Sequence, residues 1–80
     1  TNSAILRPRD VLHEIIKLGE PKIILVHNHQ VGDPTPSKAD FDFTERLVQA
    51  AGIVGVELLD HIIVAEKGYS SIFYLRGLKK

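Results

Sequence analysis

The sequence predicts an α/β fold, in which helices alternate with the strands of one mixed sheet. Three observations favour this class. A segment with helical periodicity leads directly into a continuous apolar run rich in β-branched residues. A second helical pattern then leads into another apolar run. Finally, Glu66, Lys67 and Gly68 separate the last two apolar runs, as in an antiparallel hairpin. The 80 residues are enough for one small domain.

The first helix is predicted within RPRDVLHEIIKLGEP, followed by a strand in KIILVHNH. Pro8 suits the first helical turn, and Gly19 suits the helix end. The apolar residues that share one predicted face are Val11, Leu12, Ile15 and Ile16. The run from Ile23 to Val26 has no polar alternation, so we expect a strand buried on both faces.

A turn-rich segment and a second helix follow the first strand. Residues 30–36, QVGDPTP, contain glycine, aspartate and two prolines and cannot continue a strand. Ser37 is predicted to cap the next helix, with Asp40 at the capping-box position three residues later. The helix is expected to end at Gly52 or Gly55. Its buried stripe is predicted to contain Thr44, Leu47, Val48 and Ala51.

The C-terminal part is predicted to form two paired strands. The segment VELLDHIIVAE is the second strand, and YSSIFYLRG is the third. The aromatic residues Tyr69, Phe73 and Tyr74 are expected to pack within the third strand, which does not suggest a surface for stacking nucleic-acid bases. The sheet is therefore expected to be mixed, with two helices.

Two histidines at the end of the first strand indicate a metal site. Residues i and i+2 of a strand point to the same face, so His27 and His29 project together. Asp40 lies in the first turn of the next helix, after a loop that folds the chain back. Two imidazoles and one carboxylate suit Zn²⁺ with an open fourth position, which is typical of catalytic zinc. Ser37 could face the water or the oxyanion at such a site.

Each of these residues also has a simpler interpretation. Asp40 alone suits the positive end of a helix dipole, and Ser37 alone suits an N-cap. The adjacent Asp60 and His61 must face opposite sides of the second strand. Either both are structural, or one of them supports the site from behind a ligand. Two further residues are interpreted simply: His13 as a surface histidine and Asp33 as a turn residue.

Composition excludes several other classes of protein. Ten Lys and Arg residues balance ten Asp and Glu residues, so charge does not support nucleic acid as a partner. The chain has no cysteine, which favours a reducing compartment, and we expect a cytoplasmic location. No apolar run is long enough to span a membrane. The oligomeric state is not specified.

The segment HNHQVGDPTPSKAD resembles the signature of the JAMM (MPN+, JAB-type) metallopeptidases: His-x-His, seven residues, Ser, two residues, Asp. The segments RPRDVLHEII and LLDHIIV are similar to the corresponding segments of the RadC-like branch. The resemblance covers nearly the whole chain. It implies a three-layer fold of the cytidine-deaminase type, with zinc held by His27, His29 and Asp40. It also implies that Ser37 holds the catalytic water or the oxyanion, and that the substrate is a protein or peptide.

The sequence departs from the RadC-like pattern at two places. Gln30 and Val31 stand where that branch has proline and serine, which is expected to loosen the loop without changing the ligand positions. JAMM sites also use a glutamate as general base, and no residue here matches it. Glu14 and Glu20 are not candidates for it. We expect residues 1–80 to be the C-terminal portion of the domain, with that glutamate upstream of Thr1.

Three functions are compatible with these residues. The first is a zinc hydrolase that cleaves a peptide or isopeptide bond. The second is a non-catalytic interaction module, since many MPN domains serve as scaffolds. The third is an accessory protein in DNA repair, which rests only on the label carried by the RadC-like branch.

Overall fold

The computed structural model describes residues 7–30 and 32–77. Three helices and three strands follow in the order α1 (Pro8–Leu18), β1 (Lys22–Asn28), α2 (Lys38–Ile53), β2 (Glu57–Ala65), β3 (Gly68–Ser71) and α3 (Ile72–Arg76). The predicted α/β class and mixed sheet are confirmed. Val31, one of the two loop residues that depart from the RadC-like pattern, lies outside the described residues. Within the described ranges, no helix combines the length and apolarity needed to cross a membrane.

Helix α1 begins and ends where its sequence indicates. Pro8 occupies the first turn, where its missing N–H needs no partner. Gly19 adopts the left-handed conformation with φ of 72°, and its N–H closes the last turn onto Ile15 and Ile16. Ile15 is buried, and Val11 and Leu12 pack against the core. Ile16 was predicted on the same face, but it is 54% exposed because it lies about 100° around the helix from Ile15.

The sheet has the order β1-β2-β3, in which β1 and β2 are parallel and β2 and β3 are antiparallel. The β1–β2 register shifts after Ile23, which pairs with Leu58, while Ile24 pairs with Asp60. The shift leaves Leu59 as an extra residue in β2. As a result, Leu58 and His61 face the same side of the sheet although their spacing is odd.

Helices α1 and α2 cover one face of this sheet. The core joins Ile15 of α1, Leu47 of α2, Leu58 of β2 and Phe73 of α3. The predicted stripe of α2 is confirmed, with Thr44, Leu47 and Ala51 buried and Val48 packed against the core.

The prediction that β1 is buried on both faces is wrong for the described chain. Its residues alternate between half-buried and exposed. Ile24 is 57% exposed and Val26 is 60% exposed, because both lie on the face away from α1 and α2. An apolar run alone therefore did not determine how many faces of the strand are covered.

The predicted third strand is too long. It ends at Ser71, and the following residues form α3. The Ser71 hydroxyl accepts a hydrogen bond from Tyr74 N at 3.1 Å, and Gly77 closes the helix with φ of 72°. Phe73 lies in this helix and is buried, whereas Tyr69 and Tyr74 are exposed. The prediction that these aromatic residues pack within a strand is therefore also wrong.

Candidate metal centre

The end of β1 presents two histidines on the side of the sheet that faces α2. His27 belongs to β1 and pairs with Ile63, while Asn28 between the histidines points to the other side. His29 N donates to Val64 O at 2.9 Å, which extends the strand pairing one residue beyond β1. The two imidazole rings therefore stay together, with centroids 5.0 Å apart and planes at 87°.

The capping box of α2 brings Asp40 to these rings. Ser37 Oγ accepts from Asp40 N at 3.1 Å, and the Asp40 carboxylate accepts from Ser37 N at 2.8 Å. This reciprocal pair turns the carboxylate back towards the helix start. Because α2 begins above the carboxyl end of β1, the carboxylate reaches the histidines. Both predictions for this helix start, the N-cap and the capping box, are confirmed.

One potential ligand atom from each of His27, His29 and Asp40 lies within 4.8 Å of the other two. Asp40 Oδ2 is 3.2 Å from His29 Nε2, and Asp40 Oδ1 is 3.9 Å from His27 Nδ1. All three residues are partly exposed. Two imidazole nitrogens and one carboxylate oxygen that converge in this way are a suitable donor set for Zn²⁺.

The His29 ring provides a test of whether a cation fits here. Its Nδ1 lies 3.2 Å from the Asp33 carbonyl oxygen, and its Nε2 lies 3.2 Å from Asp40 Oδ2. A neutral imidazole has one N–H, so it cannot donate to both oxygens. If Nδ1–H donates to Asp33, the lone pair of Nε2 faces a carboxylate. A cation between Nε2 and Oδ2 removes that conflict, so the residues fit a metal ion.

The loop between β1 and α2 is anchored to the β2–β3 hairpin. Lys67 N donates to Gly32 O at 3.0 Å, and Ser70 Oγ donates to Pro34 O at 2.6 Å. Asp33 is the predicted turn residue, and its side chain accepts two hydrogen bonds from Thr35. Its backbone carbonyl orients His29, a role that sequence reasoning missed because no side-chain pattern marks a carbonyl acceptor.

The environment of Asp40 favours its ionised form. Partial burial alone would raise the pKa of this carboxyl, but hydrogen bonding to Ser37 and the neighbouring His29 and His27 rings lower it below its ordinary value. The N-terminal end of α2 adds to this effect. An ionised carboxylate is the form that binds a metal.

The pair Asp60 and His61 divides between the two faces of β2, as the sequence requires. Asp60 is buried on the face of the sheet away from the candidate ligands. There it accepts from Ser71 Oγ at 2.8 Å and from the backbone N of His61 at 2.7 Å. It also accepts from Phe73 N at 3.4 Å, so it supports the start of α3. Asp60 is therefore structural.

His61 lies on the same side as the candidate ligands. Its ring is fully buried and stacks on His27 with centroids 5.8 Å apart and an interplanar angle of 30°. Its Nδ1 is 2.6 Å from Thr44 Oγ1. Burial, followed by the nearby His27, lowers the pKa of His61 to about 4. The ring is therefore neutral at neutral pH.

Thr44, which contacts the His61 ring beside the site, is the second residue whose role the sequence did not predict. The sequence assigned it only to the buried stripe of α2. A polar residue at a fully buried helical position was the available signal. Among the residues more distant from the site, His13 is exposed on α1, as predicted, and pairs with Glu14.

Known proteins resemble this chain over almost its full length. Residues 1–78 match the family described as RadC-like JAB domain. A UPF0758 protein from Geobacillus sp. (strain WCH70) is 48% identical over 71 residues, which cover 89% of this chain and 31% of that protein. One from Syntrophomonas wolfei is 47% identical over 77 residues, covering 96% and 32%. One from Thermotoga maritima is 49% identical over 71 residues, covering 89% and 32%.

These matches cover almost all of the chain but about a third of the length of each relative. They agree with the resemblance carried by HNHQVGDPTPSKAD and LLDHIIV. The chain belongs to the RadC-like JAB domain family, within the JAB/MPN family.

Proposed function

We propose that this chain carries the metal centre of a zinc hydrolase that cleaves an amide bond in a protein or peptide. The observation that carries the proposal is the convergence of His27, His29 and Asp40, with ligand atoms within 4.8 Å of one another. A histidine pair with one carboxylate leaves a fourth position free for water or substrate. A bound zinc ion would polarise a carbonyl group and activate water near neutral pH.

The protein's own residues hold this centre in place. Asp33 O fixes the His29 ring so that Nε2 presents its lone pair to the site. Ser37 N binds Asp40 Oδ2, which limits the rotation of the carboxylate. Asp40 is held in the ionised form by the same hydrogen bonding and by the two imidazoles.

Ser37 is proposed as the catalytic hydroxyl. Its Oγ accepts a hydrogen bond from Asp40 N, but a hydroxyl also has a proton to donate. It lies at the N-terminus of α2, one turn before Asp40, where partial positive charge favours an oxyanion. The proposed role of Ser37 is to donate that proton to the oxygen of the carbonyl under attack.

A pocket beside the centre provides room for substrate. It has a volume of about 370 Å³ and is bordered by His27 and Asp40. Its other walls are largely apolar, with Val11 from α1, Leu25 from β1 and Phe43 from α2. Such a pocket fits an apolar side chain next to the bond that is cleaved.

Zinc content provides the first test. We expect the purified full chain, reconstituted with zinc and freed of excess metal, to retain about one zinc ion, and His27→Ala to retain none. His13→Ala removes an exposed histidine outside the site and should leave the zinc content unchanged. Zinc-dependent cleavage of a fluorogenic peptide mixture by a protein that spans the full length of its relatives, stopped by a chelator, would support the hydrolase. A chain that holds no zinc would refute the proposal.

A further inference from the structure

A chain of hydrogen bonds connects β2 to the backbone of the ligand Asp40. Thr44 Oγ1 donates to the Asp40 carbonyl oxygen at 2.8 Å. The same Thr44 oxygen lies 2.6 Å from His61 Nδ1. A bond from threonine to the carbonyl four residues earlier is common within helices. The bond from His61 is different, because it joins α2 to a separate strand.

The number of available hydrogens determines which atom donates in each of these two hydrogen bonds. Thr44 has one hydroxyl hydrogen, and Asp40 O accepts it. His61 Nδ1 must therefore carry a hydrogen and donate it to Thr44. His61 Nε2 then carries only a lone pair, and it is the one buried side-chain nitrogen or oxygen without a hydrogen-bond partner among residues 7–30 and 32–77.

The His61 ring also contacts His27, the candidate ligand on β1. It stacks on His27, and Phe43 of α2 meets it edge-on with centroids 6.2 Å apart. His61 thus touches a ligand on β1 directly and reaches a ligand on α2 through Thr44.

Stability alone does not explain a histidine at this position. Burial of a polar nitrogen without a partner is unfavourable, and phenylalanine would fill a similar volume without that cost. Local choices that oppose stability are expected mainly at functional sites.

We infer that His61 and Thr44 are positioning residues that hold the first turn of α2, and with it Asp40, at the distance from His27 that zinc binding requires. This inference rests on the proposed zinc site. Of the two adjacent residues, His61 then supports the zinc site, whereas Asp60 supports the start of α3.

The test is zinc affinity, measured by competition with a chromophoric chelator. We expect Thr44→Val, which removes the hydroxyl and keeps the shape, to weaken zinc binding by about 10–100-fold. Thr44→Ser keeps the hydroxyl and should restore the affinity of the unaltered chain. His61→Phe, which keeps a ring and removes both nitrogens, should match Thr44→Val.

The double variant Thr44→Val/His61→Phe separates positioning from simple stability. It removes both polar partners, so no buried donor is left unpaired and the stability of the metal-free protein should recover relative to Thr44→Val. Its zinc affinity should remain as low as that of Thr44→Val, because the link to Asp40 is still missing. If Thr44→Val does not fold, the double variant replaces it in the comparison with the unaltered chain.

Two results would overturn the inference. Thr44→Val and the double variant could bind zinc as tightly as the unaltered chain, in which case the proposed zinc site stands and the positioning role fails. Alternatively, the unaltered chain could bind no zinc, in which case the proposed function fails and the inference falls with it.

Discussion

Asp40 Oδ2 lies 3.2 Å from His29 Nε2, although eleven positions separate the two residues in the chain. The other nitrogen of His29 already faces a carbonyl oxygen, that of Asp33. The contact between Nε2 and Oδ2 therefore brings two electron-rich groups together unless a proton or a metal ion lies between them. This relationship is the physical basis for expecting a cation at the end of β1.

Zinc should stabilise the folded chain. An ion that binds only the native state raises the free energy of unfolding by about 2.7 kcal/mol at a concentration 100 times its Kd. We expect thermal unfolding to shift upward on zinc addition and to return on chelation. His29→Ala should abolish the shift, whereas His13→Ala should retain it. An equal shift in His29→Ala would show that zinc binds elsewhere.

The two roles of Ser37 can be separated. Ser37→Ala removes the helix cap and should lower the free energy of unfolding by about 1 kcal/mol. Ser37→Asn retains a good cap without the hydroxyl, so stability measured in urea should be nearly unchanged. Placed in a protein that spans the full length of its relatives, both variants should lose zinc-dependent peptide cleavage. Full activity in Ser37→Asn would limit Ser37 to capping.

Asp60 should affect stability without affecting zinc. Asp60→Ala removes the acceptor of hydrogen bonds from Ser71 and Phe73, and hydrogen bonds to a charged group contribute about 1.5–3 kcal/mol each. We expect a lower urea midpoint in Asp60→Ala, and a smaller loss in Asp60→Asn, which keeps one acceptor oxygen. Zinc affinity of the folded protein should be unchanged in Asp60→Asn. A marked loss of affinity there would contradict the division between the two faces of β2.

The metal-free protein should lose stability in mild acid through His61. Burial, together with the nearby His27, lowers the pKa of His61 from 6.5 to about 4. Between these two values the unfolded chain binds a proton that the folded chain does not, so stability decreases as the pH falls. The expected slope is about 1.4 kcal/mol per pH unit for one such group.

Urea denaturation at several pH values measures this slope. His61→Phe serves as the comparison, because it lacks the group and should flatten the dependence between pH 6.5 and about 4. Parallel pH profiles for the two proteins would show that His61 does not cause the loss.

Local sequence signals predicted α1, α2 and the convergence of His27, His29 and Asp40, because each depends on interactions within a few residues. Gly19 and Ser37 mark helix ends through their own backbone and side-chain geometry. The alternation of a strand alone places His27 and His29 on one face. The β2–β3 hairpin follows from its turn residues, and its pairing is confirmed.

The short helix α3 was missed because its residues suit either a strand or a helix. Ile72, Phe73 and Tyr74 have high β-propensity, and a strand was predicted on that basis. One contact that supports the helix comes from Asp60, thirteen positions before Phe73, whose carboxylate accepts the Phe73 N–H. A tertiary hydrogen bond of this kind is not visible in local propensity.

The sequence by itself determined that His27, His29 and Asp40 come together and which helix end carries Asp40, because strand alternation and the capping box are local geometry. Only the tertiary structure decided which of Asp60 and His61 faces this cluster, how Thr44 joins β2 to α2, and which carbonyl contacts the His29 ring. These depend on the β1–β2 register and on a bulge at Leu59, and a shift of one residue in register exchanges the two faces of a strand.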